Sequence, residues 1–546
     1  MALGMTCSSC RDQGKLSTSA AVPASQKPVA AGSPPLILSL LPIESAAAMY
    51  ERFLPLKYYL EKMLNRPVVL QVAKDYETAI QEIGEGRVQL ACLDPATYCE
   101  VRARFREKVI PLVKPVGRDG ARSRSVLVVK QGSGIERVVD AKGKRLALGS
   151  PQSSFSYLMP MAILSDVGLK IRDFSAVRYL QQEDRVALSV LIGEYDIGAL
   201  SETVAQRYSE EGLKVIKVSE PLPQFVLSAS SALPREVREA VIAGFANEAQ
   251  QGFFASLGKD IASFEPAVDR DFDVVRVMMK NLTGKDYIEY SERTVKVAVL
   301  PLYSAVTLYD RYEPLMRFLS EKTGYEFKLL IPRDFDDFIR VVKSGAVDFS
   351  YQNPYIFALI NRDMELRPLV TTLGEDRSTE EHDGGGKIFR GVIITRENSA
   401  IRTLEDLRNK KVLITSPMSA GGFLSQKIFL AKNGIDTDRD LRIIDGKKQE
   451  NVIFGVYRGD ADAGFVRESA LIVWKNEIDM NKIRILARTT PLPNWPLAAC
   501  SGRNPRLQNE VRDILLGLRD KKVLEAARIS GFRQAKPADF EGLKRY

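Results

Sequence analysis

The chain repeats itself. Leu41-Pro42, Ser45-Ala46, Tyr50, Arg52, Pro55 and Leu60 return in the same order and spacing as Leu300-Pro301, Ser304-Ala305, Tyr309, Arg311, Pro314 and Leu319. The register holds without a gap through Asp75/Asp334, Ile80/Ile339, Gly86/Gly345, Val88/Val347 and Pro95/Pro354. It then lengthens by about seven residues, and Asp140/Asp406, Ser150-Pro151/Ser416-Pro417, Gly193/Gly459 and Glu202/Glu468 follow in the new register. Pro221-Leu222-Pro223 and Pro491-Leu492-Pro493 close the series. A period of roughly 260 residues is a duplicated domain, because solenoid repeats run to about 45. The segment Arg377–Lys387, polar and glycine-rich, accounts for the extra length. The expected organisation is a flexible tether over 1–33, rich in Ser, Ala and Pro, then units at 34–290 and 291–546.

Within each unit, short apolar runs alternate with amphipathic ones. In the second, Val295–Leu300, Glu326–Ile331, Val347–Tyr351, Gly391–Arg396, Lys411–Thr415 and Ala461–Val466 read as strands. Leu308–Lys322, Phe335–Ser344 and Gly421–Asn433 read as helices. Such alternation predicts an α/β fold, with helices on both faces of the sheets. The apolar run near 392 marks where the chain would cross into a second lobe.

Composition narrows the chemistry. Of 546 residues, 45% are hydrophobic, enough for a large core. One histidine, His382, and five scattered cysteines leave little material for a zinc site or a Ser–His triad. No cofactor, no metal and no enzymatic role is expected. His382 reads as part of an exposed loop. Cys92 and Cys99 read as buried thiols, Tyr50 and Tyr309 as packing residues, and Trp495 as a core or hinge aromatic. The net charge of +9 is spread along both units without aromatic interleaving, which points away from nucleic acid. No run of about 18 apolar residues offers a membrane span. Cys7, followed by a Ser-rich stretch, is either the start of a processed lipoprotein or part of an unremarkable tail.

The sharpest local signal is a strand, a small hydroxyl-rich turn and a helix. It reads Gly149-Ser150-Pro151-Gln152-Ser153-Ser154-Phe155-Ser156 in the first unit and Ser416-Pro417-Met418-Ser419-Ala420-Gly421-Gly422 in the second. Backbone N–H groups and Ser hydroxyls at a helix N-terminus suit a tetrahedral oxyanion. An ordinary Ser N-cap is the plainer reading.

Several motifs together resemble the phosphate, phosphite and phosphonate-binding periplasmic proteins of bacterial ABC importers. They are this turn, Asp75-Tyr76 with Asp334-Phe335 after the second strand, and the strand Gly345-Ala346-Val347-Asp348 with Gly86-Arg87-Val88-Gln89. The resemblance implies two tandem type II periplasmic-binding domains, each of two α/β lobes with a ligand cleft between them, closing by a hinge. It also implies site residues. In the first unit they are Tyr76, Ser150, Ser153, Ser154, Phe155, Ser156, Gln182, Ser201 and Glu202. In the second they are Phe335, Ser416, Ser419, Ala420, Gly421, Gly422, Lys448, Arg467 and Glu468. Lys448 and Arg467 would suit a more highly charged anion, while Asp94 at the first cleft's edge would repel a dianion. The expected function is extracytoplasmic binding of a small phosphorus oxyanion for an ABC permease. A membrane sensor that keeps the fold without transport is the alternative. A membrane attachment would come only through a lipid on Cys7.

Overall fold

The structure, a computed structural model, describes residues 34–117, 122–223, 225–246, 261–374, 388–475, 477–500 and 504–543. The tether, Cys7, Cys10, His382 and the segment 377–387 lie outside the described residues.

Both copies open with the same local physics. Leu36–Leu40 and Thr294–Val299 are short apolar strands, each flanked by two parallel neighbours, so both faces are covered. Each is followed by a long helix, Ala46–Leu64 or Ala305–Thr323. Ser45 and Ser304 cap these helices, and Asn65 (φ 48°) and Gly324 (φ 73°) end them in the left-handed conformation. Pro55 and Pro314 sit inside at matching positions.

The first lobe of each unit is a six-stranded mixed sheet. In the first copy the order is Ile261–Pro266, Val109–Gly117, Val226–Ser230, Leu90–Leu93, Leu36–Leu40, Val68–Val72. In the second it is Ile529–Gln534, Leu366–Gly374, Pro496–Cys500, Phe349–Tyr351, Thr294–Val299, Glu326–Leu330. The second lobes are five-stranded. Their orders are Leu213–Val218, Ser125–Lys130, Ile197–Ser201, Arg145–Leu148, Ala176–Tyr179 and Ile483–Arg488, Gly391–Arg396, Ala463–Arg467, Lys411–Ile414, Arg442–Asp445. In both copies the chain leaves the first lobe, builds the second and returns. The two crossings pair as a short ribbon, Arg122–Ser123 with Leu222–Pro223 and Ile388–Phe389 with Leu492–Pro493. The fold is therefore the tandem two-lobed α/β arrangement that the repeat predicts. The run near 392 is the first long strand of a second lobe, as expected.

The units touch. Glu220, beside the first ribbon, accepts from Thr307 Oγ1 at 2.5 Å and also from Ser304, the cap of the second unit's long helix. Lys448 of the second unit pairs with Asp166 of the first at 2.6 Å. Arg270 pairs with Glu313. Cys92, Cys99 and Cys500 are buried free thiols, and burial pushes Cys99 up to about 12. Tyr309 is core and donates to Arg270 C=O at 2.9 Å. Tyr50 lies at the surface and donates to Leu70 C=O. Trp495 is buried against Tyr351, their ring centroids 5.2 Å apart. No helix among the described residues is long and apolar enough to cross a membrane.

Candidate functional site

The hydroxyl-rich turn sits at the edge of the second lobe in each unit, facing the first lobe across the cleft. Its helix begins with a widened turn. Leu158 N–H donates to Ser153 C=O at 3.0 Å, and Leu424 N–H to Ser419 C=O at 2.9 Å, each five residues back. Such π-type turns concentrate at functional positions, and here one recurs at the same place in both copies.

In the first unit the turn is fully occupied by the protein. Ser153 Oγ accepts from the amides of Phe155 (3.3 Å) and Ser156 (3.2 Å). The Ser154 amide donates to Asp94 Oδ2 at 2.8 Å, from the opposite lobe. Asp94 Oδ1 meanwhile accepts from Thr97 N–H at 2.8 Å, capping its own helix. Ser154 Oγ accepts from Ala96 N–H at 2.7 Å, and Thr97 Oγ1 donates to Gln152 C=O at 3.2 Å. On the other side of the cleft Glu183 N–H donates to Ile43 C=O, Gln182 Nε2 to Glu44 C=O and Ser45 N–H to Asp184 Oδ2. Six hydrogen bonds thus latch the two lobes.

The first cleft is also acidic. Glu183 is 2% exposed and accepts from Ser201 N–H (2.9 Å) and Oγ–H (2.5 Å). Burial raises its carboxyl to about 7, against the pull of those bonds, and Glu44 and Asp94 add repulsion. Burial raises Asp94 as well, and the amides of Thr97 and Ser154 pull it back. Tyr76 is buried beside them, its phenol well above the ordinary range through burial. Ser150 Oγ–H turns to Gln152 Oε1 at 2.6 Å. Ser156 is buried with its hydroxyl unpartnered. Glu202 starts a short helix outside this cluster.

The second unit is built from the same positions and carries the opposite charge. Tyr303 stands at the place of Glu44, Asn353 at Asp94, Gln449 at Glu183, Ala420 at Ser154 and Arg467 at Ser201. Asn353 Oδ1 caps its own helix through Ile356 N–H at 2.9 Å, and its amide reaches Met418 C=O only at 3.5 Å. Ser419 Oγ accepts from Gly422 N–H at 3.1 Å. No side chain among the described residues meets the amides of Ala420 and Gly421. Arg467 lies over the Phe389 ring at 4.5 Å and donates from one terminal nitrogen to Asn494 Oδ1 at 3.0 Å. Its Nε is sealed from water without an acceptor, and no carboxylate among the described residues pairs with it. Burial lowers its pKa. A Cβ on Gly421 would sit 2.9 Å from Phe389 and 3.1 Å from Arg467 Cβ, so the backbone here must be glycine for the arginine to lie against it.

The remaining expected residues fall at different places. Phe335 is buried at the start of its helix, as Tyr76 is. Ser416 Oγ holds the turn through Met418 N–H at 3.3 Å. Lys448 points to Asp166 of the other unit, and Glu468 pairs with Arg488 at 2.7 Å. Two second-unit residues escaped the sequence reading. Arg311 is 9% exposed, and Gln352 is fully buried with both amide atoms unpartnered. The signal for Arg311 was present in its identity with Arg52. What distinguishes the two is a neighbour, Tyr303 for Glu44. Among the described residues no cluster of His, Cys, Asp and Glu could hold a metal.

Comparison with known proteins agrees with the duplication. Residues 38–272 and 297–540 each match the family model described as ABC transporter, phosphonate, periplasmic substrate-binding protein. A 231-residue stretch is 26% identical to the tetrathionate sensor histidine kinase TtrS of Salmonella typhimurium, covering 40% of this chain and 38% of that protein. A 232-residue stretch is 21% identical to the phosphate-import protein PhnD of Mycolicibacterium smegmatis, covering 40% of this chain and 70% of that protein. Among solved structures, the binding-protein component of an ABC phosphonate transporter from Pseudomonas aeruginosa aligns with 45% of this chain and 86% of its own. Its identity is 20% and its TM-score 0.42.

Proposed function

The chain belongs to the family of periplasmic substrate-binding proteins of phosphonate ABC transporters, as a tandem duplication, and on that premise we propose that it captures a small phosphorus oxyanion outside the cytoplasm for an ABC permease. The second unit does the binding. One observation carries this reading: Arg467 is half-buried, its Nε sealed from water and no carboxylate among the described residues paired with it, beside the unclaimed amides of Ala420 and Gly421. Guanidinium plus helix N-terminus is a good match for phosphate, phosphite or an alkylphosphonate. Binding closes the hinge at Ile388–Phe389 and Leu492–Pro493 and involves no covalent step. The first unit, latched and acidic, serves as a support at 34–290 for the binding unit at 291–546, with 1–33 as a tether.

A second reading is sensing. The similarity to a sensor kinase favours it, as does a first unit that contacts the second near its cleft rather than binding for itself. Isothermal titration of the full chain with phosphate, phosphite and methylphosphonate tests the ligand claim. Binding that disappears in Arg467→Gln supports it. A folded chain that binds none of the three ends it. Transport and sensing separate on whether the chain docks to a permease or to a kinase module.

A further inference from the structure

Arg52 and Arg311 occupy the same position on the long helix of each unit. Arg52 has a counter-ion. Glu44 Oε1 lies 3.6 Å away, and Arg207 shares that carboxylate. In the second unit Tyr303 replaces Glu44, and the Arg311 guanidinium lies over its ring at 4.2 Å. Nε and Nη2 of Arg311 reach no acceptor, and among the described residues no carboxylate pairs with it. Arg467, half-buried on the other lobe, also has no carboxylate among the described residues and an Nε without an acceptor, while one terminal nitrogen donates to Asn494. The two cations are near enough to repel, and Arg311 is among the groups that disfavour the charge on Arg467. Tyr303, Tyr312 and Tyr351 lie near them. Gln352, at the end of the strand Phe349–Tyr351, adds a donor and an acceptor that nothing uses.

A single unpaired buried cation costs several kcal/mol, and two that face each other cost more. The first unit shows how this protein settles that cost when no ligand is wanted: it supplies Glu44. The second unit has given up that carboxylate and kept the arginine. We infer that the second unit takes its ligand as a dianion, gripped by Arg311 from one lobe and Arg467 from the other, and rejects monoanions of the same shape. This rests on the second unit being the binding unit. It adds the charge of the ligand and assigns Arg311 as the residue that selects for it. Closure then follows from charge, since only a dianion neutralises both lobes at once.

The test uses pairs of tetrahedral anions that differ in charge. The full chain is titrated at pH 8 with sulfate against methanesulfonate, and with methylphosphonate against its monomethyl ester. The doubly charged member of at least one pair is expected to bind more than about tenfold tighter, the discrimination one good charge contact provides. Arg311→Gln should shrink that gap to under about threefold. Arg311→Lys, which keeps the charge, should restore part of the gap and covers the case of a misfolded glutamine variant. Equal affinities within both pairs, or a gap that survives Arg311→Gln, overturn the inference and leave the binding function standing. Failure of all four anions and of phosphate and phosphite overturns both.

Discussion

Asp94 Oδ2 accepts the amide N–H of Ser154 at 2.8 Å across the first cleft. The carboxylate occupies the turn's amide from the opposite lobe. Asp94→Ala leaves the amides of Thr97 and Ser154 buried without acceptors, which costs about 1–3 kcal/mol. Denaturant unfolding should show that loss. An unchanged midpoint would mean that the contact does not hold the lobes together.

Glu183 predicts a pH dependence. Its folded pKa of about 7 lies above the ordinary value of 4.5. The folded state therefore holds a proton that the unfolded state releases. That stabilisation is complete below 4.5 and is lost as pH rises through 7, at up to about 1.4 kcal/mol per pH unit. Asp94 is shifted in the same direction and steepens the slope. Unfolding midpoints should fall between pH 5 and 8, and Glu183→Gln, which copies Gln449 of the second unit, should flatten the curve.

Arg467 should trade stability for binding. Arg467→Met removes a half-buried charge that no carboxylate among the described residues balances, so the ligand-free melting temperature should hold or rise. Anion affinity should fall by at least about tenfold, or about 1.4 kcal/mol. A variant that melts markedly lower would show that Arg467 is structural.

Gly421 is a steric probe of the same contact. In Gly421→Ala the new Cβ must displace Phe389 or Arg467. Affinity is expected to weaken about tenfold, with about 1–3 kcal/mol of stability lost, because Arg467 Cβ is fixed to its strand and Phe389 is buried. Calorimetry and thermal melting read the two effects separately.

Lys448 is committed to Asp166 of the first unit. Lys448→Ala should leave anion affinity within about twofold and cost under about 1 kcal/mol, as a partly exposed ion pair does. A large loss of affinity would place the amine in the cleft after all.

The duplication, the α/β alternation and the place of the helix-capping turn were all legible in the residues, because identity in register and apolar periodicity are local properties of a chain. Strand ends came out within a residue or two for the same reason: Glu326–Leu330 and Gly391–Arg396 lie where the pattern put them, as does the helix Phe335–Lys343. The state of each cleft was not legible. Ser154 and Asp94 are far apart in sequence, and only the folding of one lobe against the other makes a carboxylate the acceptor for that amide. Arg52 and Arg311 are the same residue in the same motif. Whether such an arginine is a satisfied ion pair or an open site depends on the side chain packed against it, Glu44 or Tyr303. The sequence alone determined that there are two like units, each with a hydroxyl-rich turn at a helix N-terminus. Tertiary structure decided that the first already contains its own anion, because burial makes every unpaired charge costly and each cleft must balance its charges from within or from a ligand.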